Sequence, residues 1–189
     1  MLNYTTGTRP QLAPHVFERM GVYRREVFID RLGWDLPIID GMELDEFDDL
    51  NALYVCSHDN NGQVNGVARL LPTTGPYLMG KVFPHLWAGA TLPQDPQVWE
   101  LSRFATSDLD NIPGLAATST PTTSASQLLH RVIGLAASKG AHSLITVTTV
   151  VLERLLRQKG FQAKRTGLPV MHLGTPIVGL NISIDNHHI

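Results

Sequence analysis

A chain of 189 residues, 43% apolar and 17% charged, suits one globular domain (1–189) with a sizeable core and is too apolar to be disordered throughout. Its net charge of −2 argues against a dedicated nucleic-acid binder, which needs a basic surface to neutralise phosphates. The single cysteine, Cys56, rules out an internal disulfide, no apolar run approaches a membrane span, and no charged-then-apolar leader opens the chain, so the expectation is a cytoplasmic protein with no membrane contact.

In chain order, "QLAPHVFERMGVYRREVFIDRLGW" repeats apolar residues at three and four (Val16, Met20, Tyr23, Val27) and predicts one or two amphipathic helices. "DLPIIDGMELDEFDDLN" reads as an ordered acidic loop punctuated by Pro37 and Gly41. "ALYVCSH" and "QVNGVARLLP" predict strands joined by the turn "DNNG", and "KVFPHLWAG" a short helix interrupted by Pro84. "VWELSRFA" is a third strand, followed by a polar loop. Thr120 and Pro121 resemble an N-cap and first helical position, opening a helix through "SASQLLHRVIGLAASKG" that stops at Gly140. "SLITVTT" is β-branched and strand-like, "VLERLLRQKG" a helix ended by Gly160, and "FQAKR" and "IVGLNISI" late strands. This order predicts an α/β sandwich with a mixed sheet and a βαβ crossover between 98 and 149.

Several charges stand where the pattern does not ask for them. Between Leu32 and Ala68 there is no Lys or Arg, yet the span holds Asp35, Asp40, Glu43, Asp45, Glu46, Asp48, Asp49 and Asp59. Either this is a solvated acidic loop or a half-buried cluster that attracts a cation; Leu44 and Phe47, interleaved in "ELDEFD", predict that part of it packs down. The spacing does not fit an EF-hand, so a charged organic substrate is preferred to a metal. The segment 150–170 is the reverse, with Arg154, Arg157, Lys159, Lys164 and Arg165 against only Glu153: a solvated face, or a docking surface for an acidic partner. Arg24 and Phe28 share a helix face, with Trp34 just beyond; this is plain packing or a cation-binding aromatic wall. Glu100 and Arg103 sit inside an apolar strand, where a regular pleat puts Glu100 and Ser102 on one face and Arg103 on the other unless a bulge intervenes. There is no P-loop, G-x-G-x-x-G, C-x-x-C or H-E-x-x-H, the eight histidines are scattered, His187 and His188 read as a tail, and Cys56 reads as a small core residue.

Taken together, "YRREVFIDRLGWD", "ELDEFD", "GVARLLPTTGPYLM", "FP", "VWELSRFA" and "ITVTT", in that order, resemble the bacterial acyl-homoserine-lactone synthases, the autoinducer synthases of quorum sensing. The family's pattern falls on Arg24, Phe28, Trp34, Asp45, Asp48, Arg69, Glu100 and Arg103. The resemblance implies a three-layer α/β/α sandwich with a mixed central sheet, similar to GNAT acyltransferases. It implies an acyltransferase that acylates the amine of S-adenosylmethionine from an acyl-acyl-carrier-protein or an acyl-CoA, then closes the lactone and releases 5′-methylthioadenosine. S-adenosylmethionine is then a substrate, and no cofactor, metal or nucleic acid is expected. On that reading Glu100 is the general base, with Arg103 and Ser102 completing the catalytic group. Arg24, Phe28, Trp34, Asp45, Asp48, Arg69 and Phe83 surround S-adenosylmethionine; Arg24 or Arg69 meets its carboxylate, while Asp45 and Asp48 either face its cationic groups or hold the arginines. Leu78, Met79, Thr146 and Thr148 line the acyl chain, and Arg154, Arg157 and Lys159 dock the carrier protein. The rival reading is a GNAT-like N-acyltransferase acting on another amine.

Overall fold

The computed structural model describes residues 3–88, 91–107 and 123–184. By its internal contacts the chain divides into two compact units, Met1–Arg69 with Arg103–Arg131, and Leu70–Ser102 with Val132–Ile189.

In the first unit, β1 (Asn3–Thr8) pairs antiparallel with β4 (Leu53–His58), in register from Asn3 opposite His58 to Thr8 opposite Leu53. The sequence reading passed over β1, although Tyr4, Thr5, Thr6 and Thr8 are all strand formers. Helix α1 (Pro14–Arg24) opens with proline in its first turn, where a missing N–H costs nothing. It then widens into a π-helix over Arg25–Arg31, and Leu32 N donates to Val27 O five residues back. Met20, Tyr23 and Val27 are buried as the periodicity predicts, and α1 packs on β3. The expected loop after it contains a hairpin, β2 (Ile38–Ile39) and β3 (Met42–Glu43). Asp40 and Gly41 both have positive φ, 51° and 81°, the requirement of a type I′ turn; "IIDGME" carried that signal.

β4 and β5 (Val64–Pro72) are buried along almost their whole length, so neither alternates. The Asp59 carboxylate closes the turn between them by accepting from Asn61 N and Gln63 N. Gly66 is fixed by crowding: a Cβ there would stand 2.4 Å from Ser57 Oγ. Cys56 is a core residue whose thiol is pushed up to about 12 by burial. β5 and β6 (Val98–Thr106) each begin in one unit and end in the other.

In the second unit, α2 (Leu78–Lys81) and a 3-10 turn from Pro84 to Leu86 replace the single interrupted helix that was expected. β6 runs parallel to β7 (Ser143–Thr149), and α3 (Thr123–Ser138) lies between them in sequence, so the predicted βαβ crossover is present. The Thr120–Pro121 start predicted for α3 lies outside the described residues, as do most of the loop before it and the His187–His188 tail. Just past its end, α3 is closed off by Gly140, left-handed at φ 82°, with Ala141 N bonding back to Ala136 O. α4 (Val150–Gln158) follows β7 without a loop, capped by Thr149 Oγ1, which accepts from Leu152 N. It packs against β7 and β10. β10 (Thr175–Ser183) pairs antiparallel with β7, with β8 (Ala163–Arg165) and with a strand the sequence reading missed, β9 (Val170–His172), through a turn with Leu173 and Gly174 both at positive φ. Sheet order in this unit is β5-β6-β7-β10-β8, and in the first β1-β4-β5-β6. The fold is mixed α/β with a mixed sheet, as expected. Among the described residues no helix is long and apolar enough to cross a membrane, and no group of three His, Cys, Asp or Glu residues is placed to hold a metal.

Candidate functional site

The unexplained charges of the first unit converge. Arg24, at the end of α1, donates through Nε to Glu43 Oε2 (2.7 Å) and through Nη1 and Nη2 to the two oxygens of Asp48 (2.7 and 2.9 Å). Arg69, in β5, grips both oxygens of Asp45 and lies 3.1 Å from Asp48 Oδ2. Arg103, in β6, donates through Nε and Nη2 to Glu43 and through Nη2 to Asp45 Oδ2 at 2.7 Å. Three guanidiniums thus face three carboxylates, a neutral network of charge-assisted, partly bidentate bonds. Such a network is tolerable in the interior only because every member is paired; removing one partner strands a buried charge, at a cost of about 3–5 kcal/mol.

Local structure aims the carboxylates. Leu44 and Phe47 are buried, as their interleaving predicted, and pin the turn. Asp45 Oδ1 accepts from Phe47 N and Asp48 Oδ2 accepts from Asp45 N, so each aspartate closes the turn that carries the other. Burial alone would raise the carboxyl of Asp48, but the charge and hydrogen bonds of Arg24 outweigh it and hold it well below the usual carboxylate range; Glu43 is lowered in the same way by Arg24 and Arg103. Tyr54, on β4 and fully buried, donates from Oη to Asp48 Oδ1 at 2.8 Å.

Sequence reasoning had placed Arg24, Asp45, Asp48 and Arg69 around S-adenosylmethionine and Arg103 in the catalytic group with Glu100 and Ser102; it counted Glu43 only as one acid among eight and missed Tyr54. Glu43 was signalled by the "DG" turn that places it on a strand. Tyr54 had no signal beyond the rule that a buried phenol finds a partner. Of the two roles open to Asp45 and Asp48, the geometry shows them holding arginines. Arg24 and Arg69 have no exposed side-chain surface. Asp45, 10% exposed, and Arg103, 4% exposed, form the rim. Among the described residues, Nη1 of Arg103 has no hydrogen-bond partner. Its guanidinium lies 5.6 Å from the ring of Phe28, which stacks on the half-open Trp34 at 5.1 Å and 20°.

Arg103 holds a left-handed backbone, φ 50°, inside β6. That is unfavourable for a residue with a Cβ and breaks the strand alternation, which favours the bulge over the regular pleat.

The second unit holds the other expected residues. The Glu100 carboxylate is fully buried and accepts from Leu78 N (2.7 Å) and Met79 N (2.6 Å), tying β6 to the start of α2. Tyr77, beside it, donates to Pro93 O. Ser102 is buried in the same strand. Phe83 meets His172 edge-on at 5.4 Å. Thr146 and Thr148 lie two apart on β7, opposite Leu180 and Val178. Arg154 and Lys159 are exposed on or beside α4. Arg157 is half exposed and bonded to Glu153, a buried carboxylate that Arg165 also grips through Nε and Nη2. Hydrogen bonds from Arg165, with the charges of both arginines, lower Glu153.

Comparison with known proteins gives this arrangement a context. An acyl-homoserine-lactone synthase of Acinetobacter nosocomialis is 39% identical over 169 residues, 89% of this chain and 92% of its own. TofI, in a ternary complex with an inhibitor and MTA, superposes at a TM-score of 0.82 with 38% identity, covering 97% of this chain and 92% of that one. BjaI, a CoA-dependent acyl-homoserine lactone synthase solved with SAM and isopentyl-CoA, superposes at 0.82 with 26% identity, covering 98% and 84%. An acyl-CoA N-acyltransferase from Pseudomonas aeruginosa, at 16% identity and a TM-score of 0.61 over 96% of this chain and 99% of that one, shares the fold alone. The autoinducer synthase profile matches residues 12–188, which takes in the charge network, its aromatic rim and the Glu100 strand together. This chain therefore belongs to the autoinducer synthase family.

Proposed function

We propose that the protein makes an acyl-homoserine lactone for quorum sensing from S-adenosylmethionine and an acyl thioester, acting as one synthase domain over 1–189. The supporting observation is the neutral arginine–carboxylate network whose rim offers a guanidinium corner beside stacked aromatic rings, in a chain that matches the family almost end to end. SAM, MTA and isopentyl-CoA occur in the solved relatives, which favours the same substrates and product here.

The Nη1 edge of Arg103 receives the carboxylate of S-adenosylmethionine, and Phe28 and Trp34 face its adenosine and sulfonium. Glu100, directly or through one water, takes a proton from the ammonium so that the free amine can attack the thioester carbonyl. The two amide N–H groups on Glu100 fix its carboxylate in one orientation. The carbon–sulfur bond of the thioester breaks, the thiol leaves with a proton, and an amide forms. The substrate's own carboxylate oxygen then attacks the carbon bearing the sulfonium, the carbon–sulfur bond breaks, and neutral 5′-methylthioadenosine departs. The products are the lactone, the free thiol, methylthioadenosine and one proton. The second step needs alignment more than acid–base help, because the sulfonium is already an activated leaving group.

Leu78, Met79, Thr146 and Thr148 take the acyl chain, with a threonine hydroxyl available to a 3-oxo group. Arg154, Arg157 and Lys159 meet the acidic carrier protein; Glu153 holds Arg157 in place for it. S-adenosylmethionine is consumed as a substrate, no cofactor enters the steps, and the enzyme works in the cytoplasm. The test is a panel of acyl-carrier-protein and acyl-CoA thioesters, each supplied with S-adenosylmethionine and read by mass spectrometry. Lactone from carrier-protein donors, weakened by charge reversal at Arg154, supports the reading; turnover with CoA donors alone removes the carrier protein from it.

A further inference from the structure

Asp48 is the most heavily shared carboxylate of the network. Oδ2 accepts from Arg24 Nη2 and from Asp45 N, and faces Arg69 Nη1. Oδ1 accepts from Arg24 Nη1 and from the phenol of Tyr54. The phenol is the one neutral side-chain donor among these. It comes from β4, opposite Gly7 in the sheet, and its ring is fixed edge-on against Phe17 at 5.7 Å. Burial and the neighbouring Asp48 push its ionisation far up, so it stays a donor at every working pH. Without the phenol, the Asp48 carboxylate would be held by Arg24 on both oxygens, by Arg69 beside Oδ2 and by its own turn, with Oδ1 left only the bond from Arg24 Nη1. The turn that Asp48 closes carries Asp45, whose Oδ2 in turn holds Nη2 of Arg103 at the rim.

We propose that Tyr54 is a positioning residue for S-adenosylmethionine: its hydroxyl locks the Asp48 carboxylate, and through the Asp45 turn sets the guanidinium of Arg103 that receives the substrate carboxylate. The proposal rests on the reaction assigned above. Tyr54 touches no substrate atom and acts only through Asp48 and Asp45.

The test compares the wild type with Tyr54→Phe, which keeps the ring and removes the hydroxyl, and with Phe17→Leu, which loosens the same packing and keeps the hydroxyl. S-adenosylmethionine is titrated calorimetrically into each protein without acyl donor, and lactone formation is followed with it. Tyr54→Phe is expected to raise both Kd and KM for S-adenosylmethionine about tenfold, the scale of one hydrogen bond to a charged group. Its kcat and its KM for the acyl donor stay within about twofold, and Phe17→Leu leaves all four values unchanged while lowering the melting temperature. Unchanged Kd and KM in Tyr54→Phe, or an equal rise in both variants, overturns the proposal and leaves the reaction standing. A wild type that binds S-adenosylmethionine but forms no lactone overturns the reaction, and the Kd comparison then decides the role of Tyr54. A wild type that does not bind it overturns both.

Discussion

Glu100 and Arg103 stand three residues apart in β6 and are satisfied in different ways, one by backbone amides and one by carboxylates. The difference governs what substitution does. In Glu100→Gln one oxygen becomes an NH2 facing an amide N–H, so a hydrogen bond turns into a clash. That variant is expected to lose about 10²–10⁴ in the rate of amide formation and about 1–3 kcal/mol of stability, read by rapid quench and by urea unfolding. A Glu100→Gln enzyme that keeps its rate would remove Glu100 as the base. Arg103→Lys keeps the charge but cannot span Glu43 and Asp45 together, so KM for S-adenosylmethionine should rise more than kcat falls; an unchanged KM would contradict the placement of Arg103. Arg24, Asp45, Asp48, Arg69 and Arg103 were legible because charges interleaved with apolar residues need a partner. Glu43 and Tyr54 were not, because a tyrosine in a buried strand and one acid among eight look ordinary until the partner is seen.

Among the elements, the long periodic segments were legible: α1, β4, β5, β6, β7 and α4 stand where periodicity and glycine stops placed them. The two-residue strands β2 and β3 and the three-residue β9 were not, since a period of two cannot be recognised over two or three residues. Their type I′ turns, Asp40–Gly41 and Leu173–Gly174, were the better signal, though leucine at a left-handed position is not what sequence rules propose. The π-helical stretch is likewise invisible to a 3.6-residue pattern, because its seven residues make fewer than two of its wider turns. In the second unit Gly179 on β10 is fixed by close approach: a Cβ there would stand 2.3 Å from Thr166 Oγ1 and 3.0 Å from Leu86 O. Thr166 Oγ1 also donates to Leu86 O at 2.7 Å, so neither can retreat freely. Gly179→Ala is expected to cost about 1–3 kcal/mol, seen as a lower urea midpoint with an unchanged slope. A midpoint equal to that of the wild type would mean the strand can shift.

For the molecule as a whole, the paired carboxyls set the response to acid. Glu43, Asp48 and Glu153 are all held below their ordinary values, by arginines in each case. A carboxyl whose folded value lies below its unfolded one contributes stability that is fully present above the unfolded value and lost as pH falls through the folded one. Unfolding free energy should therefore be flat near neutrality and decline below about pH 5, where the unfolded carboxylates begin to take protons first. Asp48→Asn should be less stable at neutral pH and show a shallower acid decline; equal slopes would mean that Asp48 is not held as described. The reaction itself was legible only from several motifs in order, since no single one specifies it, and acyl length and donor type have no comparable signature. The most direct test of the central claim is a single turnover with S-adenosylmethionine and an acyl-carrier-protein thioester, quenched and analysed by mass spectrometry. The account predicts acyl-homoserine lactone and methylthioadenosine in equal amounts. An acylated product accumulating without methylthioadenosine would contradict it and leave an ordinary N-acyltransferase.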